Sequence, residues 1–419
     1  LDTVFLDDSG TSTNLLLLST ALYPGQVTVN SSTRNYLLGG SGRISGGASI
    51  VKSGTSTLAI SNANDFTGPV TVNGGTLRLA NNSALGTSAG GLTVSSGATL
   101  DVGGYSAGLD LVTIAGTGLN NTGAVINSGA RSDNAIRLLV LAGDATVGTY
   151  GVGRWDVRGA GGSGSFSGLV DLGGYTLTSI GATQFSIVDS LCTNPGSLVV
   201  AGGTLSLTRS KVEGPGTINV RSNNLFIENY ATGYVTKPII VDGGLIKMSG
   251  ATFTLGSPIT NGAGGVRIDV ANPLTLADVL SGPGAVTKLG ASSLTYETVN
   301  PYSGPTTVSA GQLILGTNAG LPNTPEIALA NNTLFNVAAL PAGFSLASGQ
   351  TLSGNGSVVG NVTAGSGTFI TPGVSAGTLN FSNNLTLNNA SLTMELGSDP
   401  FTIGGNVNDL VAVGGDLTL

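Results

Sequence analysis

Short alternations of apolar and polar residues, each opened by glycine, recur along the chain. VNGGTLRL at Val72, VAGGTLSL at Val200, VDGGLIKM at Val241 and VSAGQLIL at Val308 share an apolar residue, a glycine three positions on, and alternating apolar sites after it. A period of two puts Leu77 with Leu79, and Leu205 with Leu207, on one face of a strand, and the glycine permits a positive φ at the corner before it. With the variant VSSGATLDV at Val94, the starts lie 22, 41 and 67 residues apart. These are near one, two and three multiples of a coil of about 20 to 22 residues. Strands recurring at coil spacing predict an all-β fold, a parallel β-helix or β-solenoid in one elongated rod. At roughly 20 to 25 residues per coil, the chain makes about 17 to 21 coils and a rod on the order of 80 to 100 Å long. A string of β-sandwich domains is the alternative, but sandwiches space their strands at about 8 to 12 residues in domain-sized blocks.

One longer repeat stands out. Ser45 to Leu79 aligns without a gap to Ser281 to Leu315, an offset of 236, pairing Lys52 with Lys288, Gly54 with Gly290, Asn64 with Asn300, Phe66 with Tyr302 and Gly75 with Gly311. Both copies resemble the autotransporter-associated β-strand repeat, also called the passenger-associated transport repeat. Its lysine, glycines, asparagine, aromatic and final leucine fall on Lys52, Gly54, Asn64, Phe66, Gly68, Gly75 and Leu77, and on Lys288, Gly290, Asn300, Tyr302, Gly304, Gly311 and Leu313. The pattern's second glycine after the lysine is absent, being Ser56 and Ser292. The stretch from Thr371, with MEL at Met394 and NDLVAVGGDLTL from Asn408, is similar to the late coils of such proteins. The chain is therefore divided into N-terminal coils or cap over 1–44, a main solenoid over 45–370 and C-terminal coils over 371–419. The resemblance implies a right-handed parallel β-helix exported from a diderm bacterium and displayed or released at its surface. It implies nothing about catalysis. Full autotransporters end in an outer-membrane barrel, so the translocator is expected to be missing, cleaved off or foreign to a chain that stops at Leu419.

Composition sharpens this picture. Of 419 residues, 68 are Gly and 15 Pro, which argues against a mainly helical protein. Charged residues are only 9 %, and mean hydropathy is +0.31 without an apolar run long enough to span a bilayer. Stacked coils explain the scarcity of charge, because each side chain sits about 4.8 Å from its counterpart and like charges in register repel. A net charge of −7 makes nucleic acid a poor partner. The chain has no His, which removes Ser-His-Asp and Cys-His arrangements and imidazole metal sites. Cys192, the only Cys, forms no intrachain disulfide and is expected as a buried small hydrophobe.

Because β-helices also carry polysaccharide-cleaving enzymes, paired carboxylates were sought. Glu213, Glu228, Glu297, Glu326 and Glu395 are far apart, and Asp7 with Asp8 lies in a DDSG turn. Neighbouring coils would permit a cross-coil cluster, for example Asp242 with Lys247 near Arg221 and Glu228, although turn and cap roles explain these acids more cheaply. Asn62 to Asp65 and Asn406 to Asp409 offer oxygens for weak calcium binding, although Asx turns explain them more cheaply. The segment from Thr149 holds the only Trp, and Arg154, Trp155, Asp156 and Arg158 form the candidate ligand-binding group, a ring and charges suited to a sugar. The plainer alternative is a loop aromatic covering the coil beneath. Phe66 and Tyr302 are expected as stacked core aromatics, and Lys52 and Lys288 on solvated faces.

The resulting expectation is a non-enzymatic structural β-solenoid without cofactor or metal, a surface fibre or adhesin-like passenger with surface glycans as candidate partners. Unpaired terminal strands further suggest head-to-tail self-association into a filament. A carbohydrate-binding or polysaccharide-degrading β-helix is the alternative function.

Overall fold

A computed structural model describes residues 2–10, 14–87, 89–108, 111–161, 166–229, 234–373, 375–399, 401–404 and 407–419. Strands of two to seven residues follow one another, with one of twelve, Leu138–Thr149. Among the described residues there is no α-helix, only the 3₁₀ turn Leu119–Asn121, and no helix is long and apolar enough to cross a membrane. Paired strands run parallel from one coil to the next, so the fold is the expected parallel β-solenoid, with about 17 turns. The chain comprises two compact units, 1–219 and 220–419.

In the first unit the alternation read from sequence becomes a ladder. Tyr36, Leu58, Leu77, Leu100, Val125 and Val147 stand in register on successive coils, and all are buried. Burying such a side chain contributes about 1.5 to 3 kcal/mol. On another wall of these coils, Thr71, Thr93 and Thr113 line up on the wetter face, where β-branched hydroxyls stack without charge repulsion. The second unit repeats the principle with larger residues: Leu274, Leu294, Leu313, Phe335, Val358 and Phe381 form one buried row.

The two lysines correct an expectation. Lys52 occupies an inward rung between Val29 and Val72, and Lys288 one between Ile268 and Val308, with 0 % and 1 % exposure. Each ammonium bends to the corner of its coil and donates to three carbonyls. Lys52 Nζ reaches Ser53 O at 2.7 Å, Gly54 O at 3.0 Å and Gly74 O at 3.3 Å. Lys288 Nζ reaches Leu289 O at 2.9 Å, Gly290 O at 2.6 Å and Ala310 O at 2.8 Å. Burial pushes both lysines down to about 8. A solvated lysine would leave these turn carbonyls without a donor, and an unmet buried acceptor costs about 1 to 3 kcal/mol. The conserved spacing to Gly75 follows, since a Cβ there would lie 2.7 Å from Lys52 Nζ and its φ is +67°.

The repeat asparagines tie coils together. Asn64 Oδ1 accepts from Ile44 N at 2.9 Å while its Nδ2 donates to Ala84 O at 2.8 Å, bridging the coils on either side. Asn300 Oδ1 accepts from Leu280 N at 2.7 Å. Phe66 and Tyr302 are fully buried, as expected, and Cys192 is buried too.

Candidate functional site

Charge is sparse in this chain, so a place where it gathers is informative. In the first unit, the strand Ser132–Ile136 pairs with Trp155–Arg158, and the next strand outward is Gln184–Val188. Trp155 pairs with Phe185, thirty residues on, whereas Phe185 pairs with Leu205, twenty on. The extra length falls between Arg158, which ends its strand, and Gly168, which opens the strand Gly168–Asp171 in another sheet. Residues 162–165 of the segment singled out from sequence lie outside the described residues.

Trp155 corrects the expectation of a sugar-stacking ring. It sits on a strand, is 0 % exposed, donates from Nε1 to Gly148 O at 3.1 Å and packs on Phe185 with ring centroids 4.7 Å apart. Its neighbours point the other way, as strand alternation requires. Asp156 Oδ2 accepts from Arg158 Nε at 3.0 Å, from Arg158 Nη2 in a shorter contact, and from Arg154 Nη2 at 3.3 Å. Asp133, one coil back, accepts from Arg131 Nε at 2.7 Å and from Arg154 Nε at 3.1 Å, and Arg158 Nη2 lies 3.8 Å away. The structure thus brings Arg154, Asp156 and Arg158 together and separates Trp155 from them.

Electrostatics follow from this geometry. Burial pushes the Asp156 carboxyl up, against the pull of Arg158 and Arg154, and its Oδ1 is buried without a hydrogen-bond partner. At Asp133 burial acts upward too, but the hydrogen bonds from Arg131 and Arg154 outweigh it and hold the carboxyl below its usual range. Beyond the network, Asp189 and Arg209 form a bidentate pair with both distances 2.7 Å, at corresponding corners twenty residues apart.

Next to Arg158 a cleft of about 250 Å³ opens, lined by Ser106, Asn134, Ile136, Arg137, Arg158 and Ala160 among others. Sequence reasoning missed Arg131, Asp133 and Arg137. The signal was present: they precede Arg154, Asp156 and Arg158 by 21 to 23 residues, one coil length, and therefore fall on the adjoining rung.

The other sequence candidates are spent on structure. Lys247 lies 5.7 Å from the Phe226 ring centroid and 3.7 Å from Asp269, while Asp242 Oδ1 accepts from Gly264 N, so Lys247 and Asp242 serve different partners. Asn62 Nδ2 donates to Gly40 O and Gly42 O, and Asp65 pairs with Arg43 at 2.9 Å. Asn408 and Asp409 hold the backbone of Gly397, Gly377 and Glu395, and Asn406 lies outside the described residues. Among the described residues no three Cys, Asp or Glu side chains gather as a metal site. Asp8 is a cross-coil cap: hydrogen bonds from Ser31, Ser32 and Thr33 hold its carboxyl far below the usual range.

Comparison with known proteins places the repeats. The family model of the Passenger-associated-transport-repeat matches residues 50–79 and 286–315. The adhesin BmaC autotransporter of Brucella suis biovar 1 (strain 1330) is 28 % identical over 401 residues, covering 79 % of this chain and 11 % of that protein. The chain thus spans about a ninth of the length of this curated relative. No solved structure matches the chain. The chain thus carries two copies of the passenger-associated transport repeat, each with a buried lysine, a buried asparagine and a corner glycine, in a parallel solenoid similar in sequence to an autotransporter adhesin.

Proposed function

We propose that this chain is a non-enzymatic, adhesin-like stretch of an autotransporter passenger, carried to the surface of a Gram-negative bacterium, with its lateral face contacting surface glycans. The similarity to an autotransporter adhesin over 79 % of the chain carries the reading. The physics is compatible: parallel ladders hold outward residues in fixed rows, which presents a rigid lateral face without any moving part. Three carboxylates are committed to neighbours, Asp156 and Asp133 to arginines and Glu326 to Ser353 Oγ at 2.6 Å, which supports the non-enzymatic reading.

The test is adherence. Bacteria displaying residues 1–419 on a heterologous anchor should bind host epithelial cells severalfold better than bacteria displaying the anchor alone. Equal adherence overturns the adhesin reading. Release of reducing ends from an acidic polysaccharide, lost on Glu228→Gln, would instead establish the enzymatic alternative.

End-to-end association is a second reading, supported by the apolar side of the first coils, where Phe5, Leu17 and Tyr23 are 58 %, 66 % and 63 % exposed. The same surface would receive a preceding coil in a longer chain. Sedimentation at rising concentration should show growing filaments; a constant monomer overturns it.

A further inference from the structure

We propose that the cleft beside Arg158 in the first unit binds the anionic group of an acidic sugar, a carboxylate or a sulfate, with Arg137 as its main charge contact. The proposal rests on the adhesin-like reading and names the ligand chemistry of that surface. Around the cleft, Arg131, Arg154 and Arg158 pair with Asp133 and Asp156, Asp189 beyond them is paired with Arg209, and Arg137 adds a further positive charge in a chain whose net charge is −7. The two aspartates occupy Arg131, Arg154 and part of Arg158. Arg137 is different: it is half-buried, has no carboxylate within 4.0 Å among the described residues, and uses Nε on Ser167 O at 3.2 Å. Among the described residues its two terminal nitrogens have no hydrogen-bond partner, and they form the planar fork that matches carboxylate and sulfate oxygens.

The remaining walls suit a sugar ring. Ser106 Oγ accepts from Gly108 N at 3.0 Å, which leaves its hydroxyl proton to donate, and the exposed Asn134 amide adds donors and an acceptor for ring hydroxyls. Exposed Ala160 gives an apolar wall for the carbon face. About 250 Å³ is below the roughly 300 to 1,000 Å³ of sites for drug-sized ligands and suits one sugar residue. Asp156 is a positioning residue: fully buried, it clamps the Arg158 guanidinium from two nitrogens at the cleft wall.

Isothermal titration of the whole chain with glucuronate, N-acetylneuraminate, galactose 6-sulfate, inorganic sulfate and galactose tests this. An acidic sugar should bind at least tenfold tighter than galactose, more weakly at high salt, and Arg137→Gln should weaken it at least tenfold with an unchanged circular dichroism spectrum. Asn134→Ala, at an exposed position, should cost a smaller factor. Preference for the carboxylated or the sulfated sugar identifies the source of the anion. Galactose binding as tightly, inorganic sulfate binding as tightly as the sulfated sugar, no binding at all, or an unaffected Arg137→Gln chain each overturn the proposal. Adherence that persists in Arg137→Gln bacteria overturns the cleft as the adhesive contact while leaving the adhesin reading standing.

Discussion

The two transport repeats are the same device with different fillings. In both, a lysine on an inward rung closes a corner through three carbonyls, and a buried asparagine accepts from the backbone of the coil before it. Their cores diverge. The first copy fills its interior with Ile60, Phe66 and Val70; the second places Tyr296, Tyr302 and Thr306 there. Tyr302 OH and Thr306 Oγ1 lie 2.6 Å apart, and Thr306 Oγ1 and Thr324 Oγ1 lie 3.1 Å apart. Two of the three changes form one unit, because a buried phenol needs a partner and threonine supplies it where valine cannot. The lysine ammonium and the asparagine Oδ1 that hold the backbone are constant between the copies, whereas the filling around them changes.

The lysines are where this comparison is easiest to break. Lys52→Met and Lys288→Met should each destabilise their own coils by about 2 to 4 kcal/mol, since three carbonyls lose their donor, and by similar amounts in the two copies. Hydrogen exchange would locate the loss at the corners. A lysine-to-methionine chain as protected as the original would show that the ammonium is dispensable.

The second copy offers a finer cut. Tyr302→Phe should cost about 1 kcal/mol by removing the phenol from Thr306, and adding Thr306→Val should recover most of it by reproducing the Phe66–Val70 pair. Urea melting of the single and double variants checks this. A double variant less stable than Tyr302→Phe alone would mean that the two cores differ in shape as well as polarity.

Alkaline pH separates the copies most subtly. Lys52 and Lys288 sit near 8 when folded and near 10.5 when free, so between these values the unfolded chain binds more protons and stability rises with pH. Burial pushes the Tyr296 and Tyr302 phenols up in the second copy, so above about pH 10 the unfolded chain loses protons that the folded one keeps, and stability falls. Melting points should climb from pH 8 to 10 and then turn down. Lys52→Met should flatten the climb, and replacing both tyrosines with Phe should remove their part of the downturn. A flat profile from pH 8 to 10 in the original chain would rule out perturbed lysines.

Much of this was legible in the sequence because it is local. Alternation sets which residues of a strand share a face, glycine marks the corners, and the separation of like motifs measures the coil. The lysines were misplaced although the same alternation held the answer: Lys52 has the parity of Ile50, and a charge was weighed above position. The candidate ligand-binding group was legible only in part, since alternation along Trp155, Asp156 and Val157 already puts the tryptophan opposite the aspartate.

The sequence by itself determined the strand pattern, the coil period and the two repeats, because a residue's neighbours two and three positions away suffice for them. Only the tertiary structure decided which residues from different coils meet. Arg137 reaches the wall of Arg158, and Lys52 the Gly74 carbonyl, through parallel registers 20 to 30 residues apart whose exact lengths depend on loops. The longer stretch between Arg158 and Gly168 sets the thirty-residue register of Trp155 with Phe185, where the next coil keeps twenty, while the local alternation on either side is unchanged.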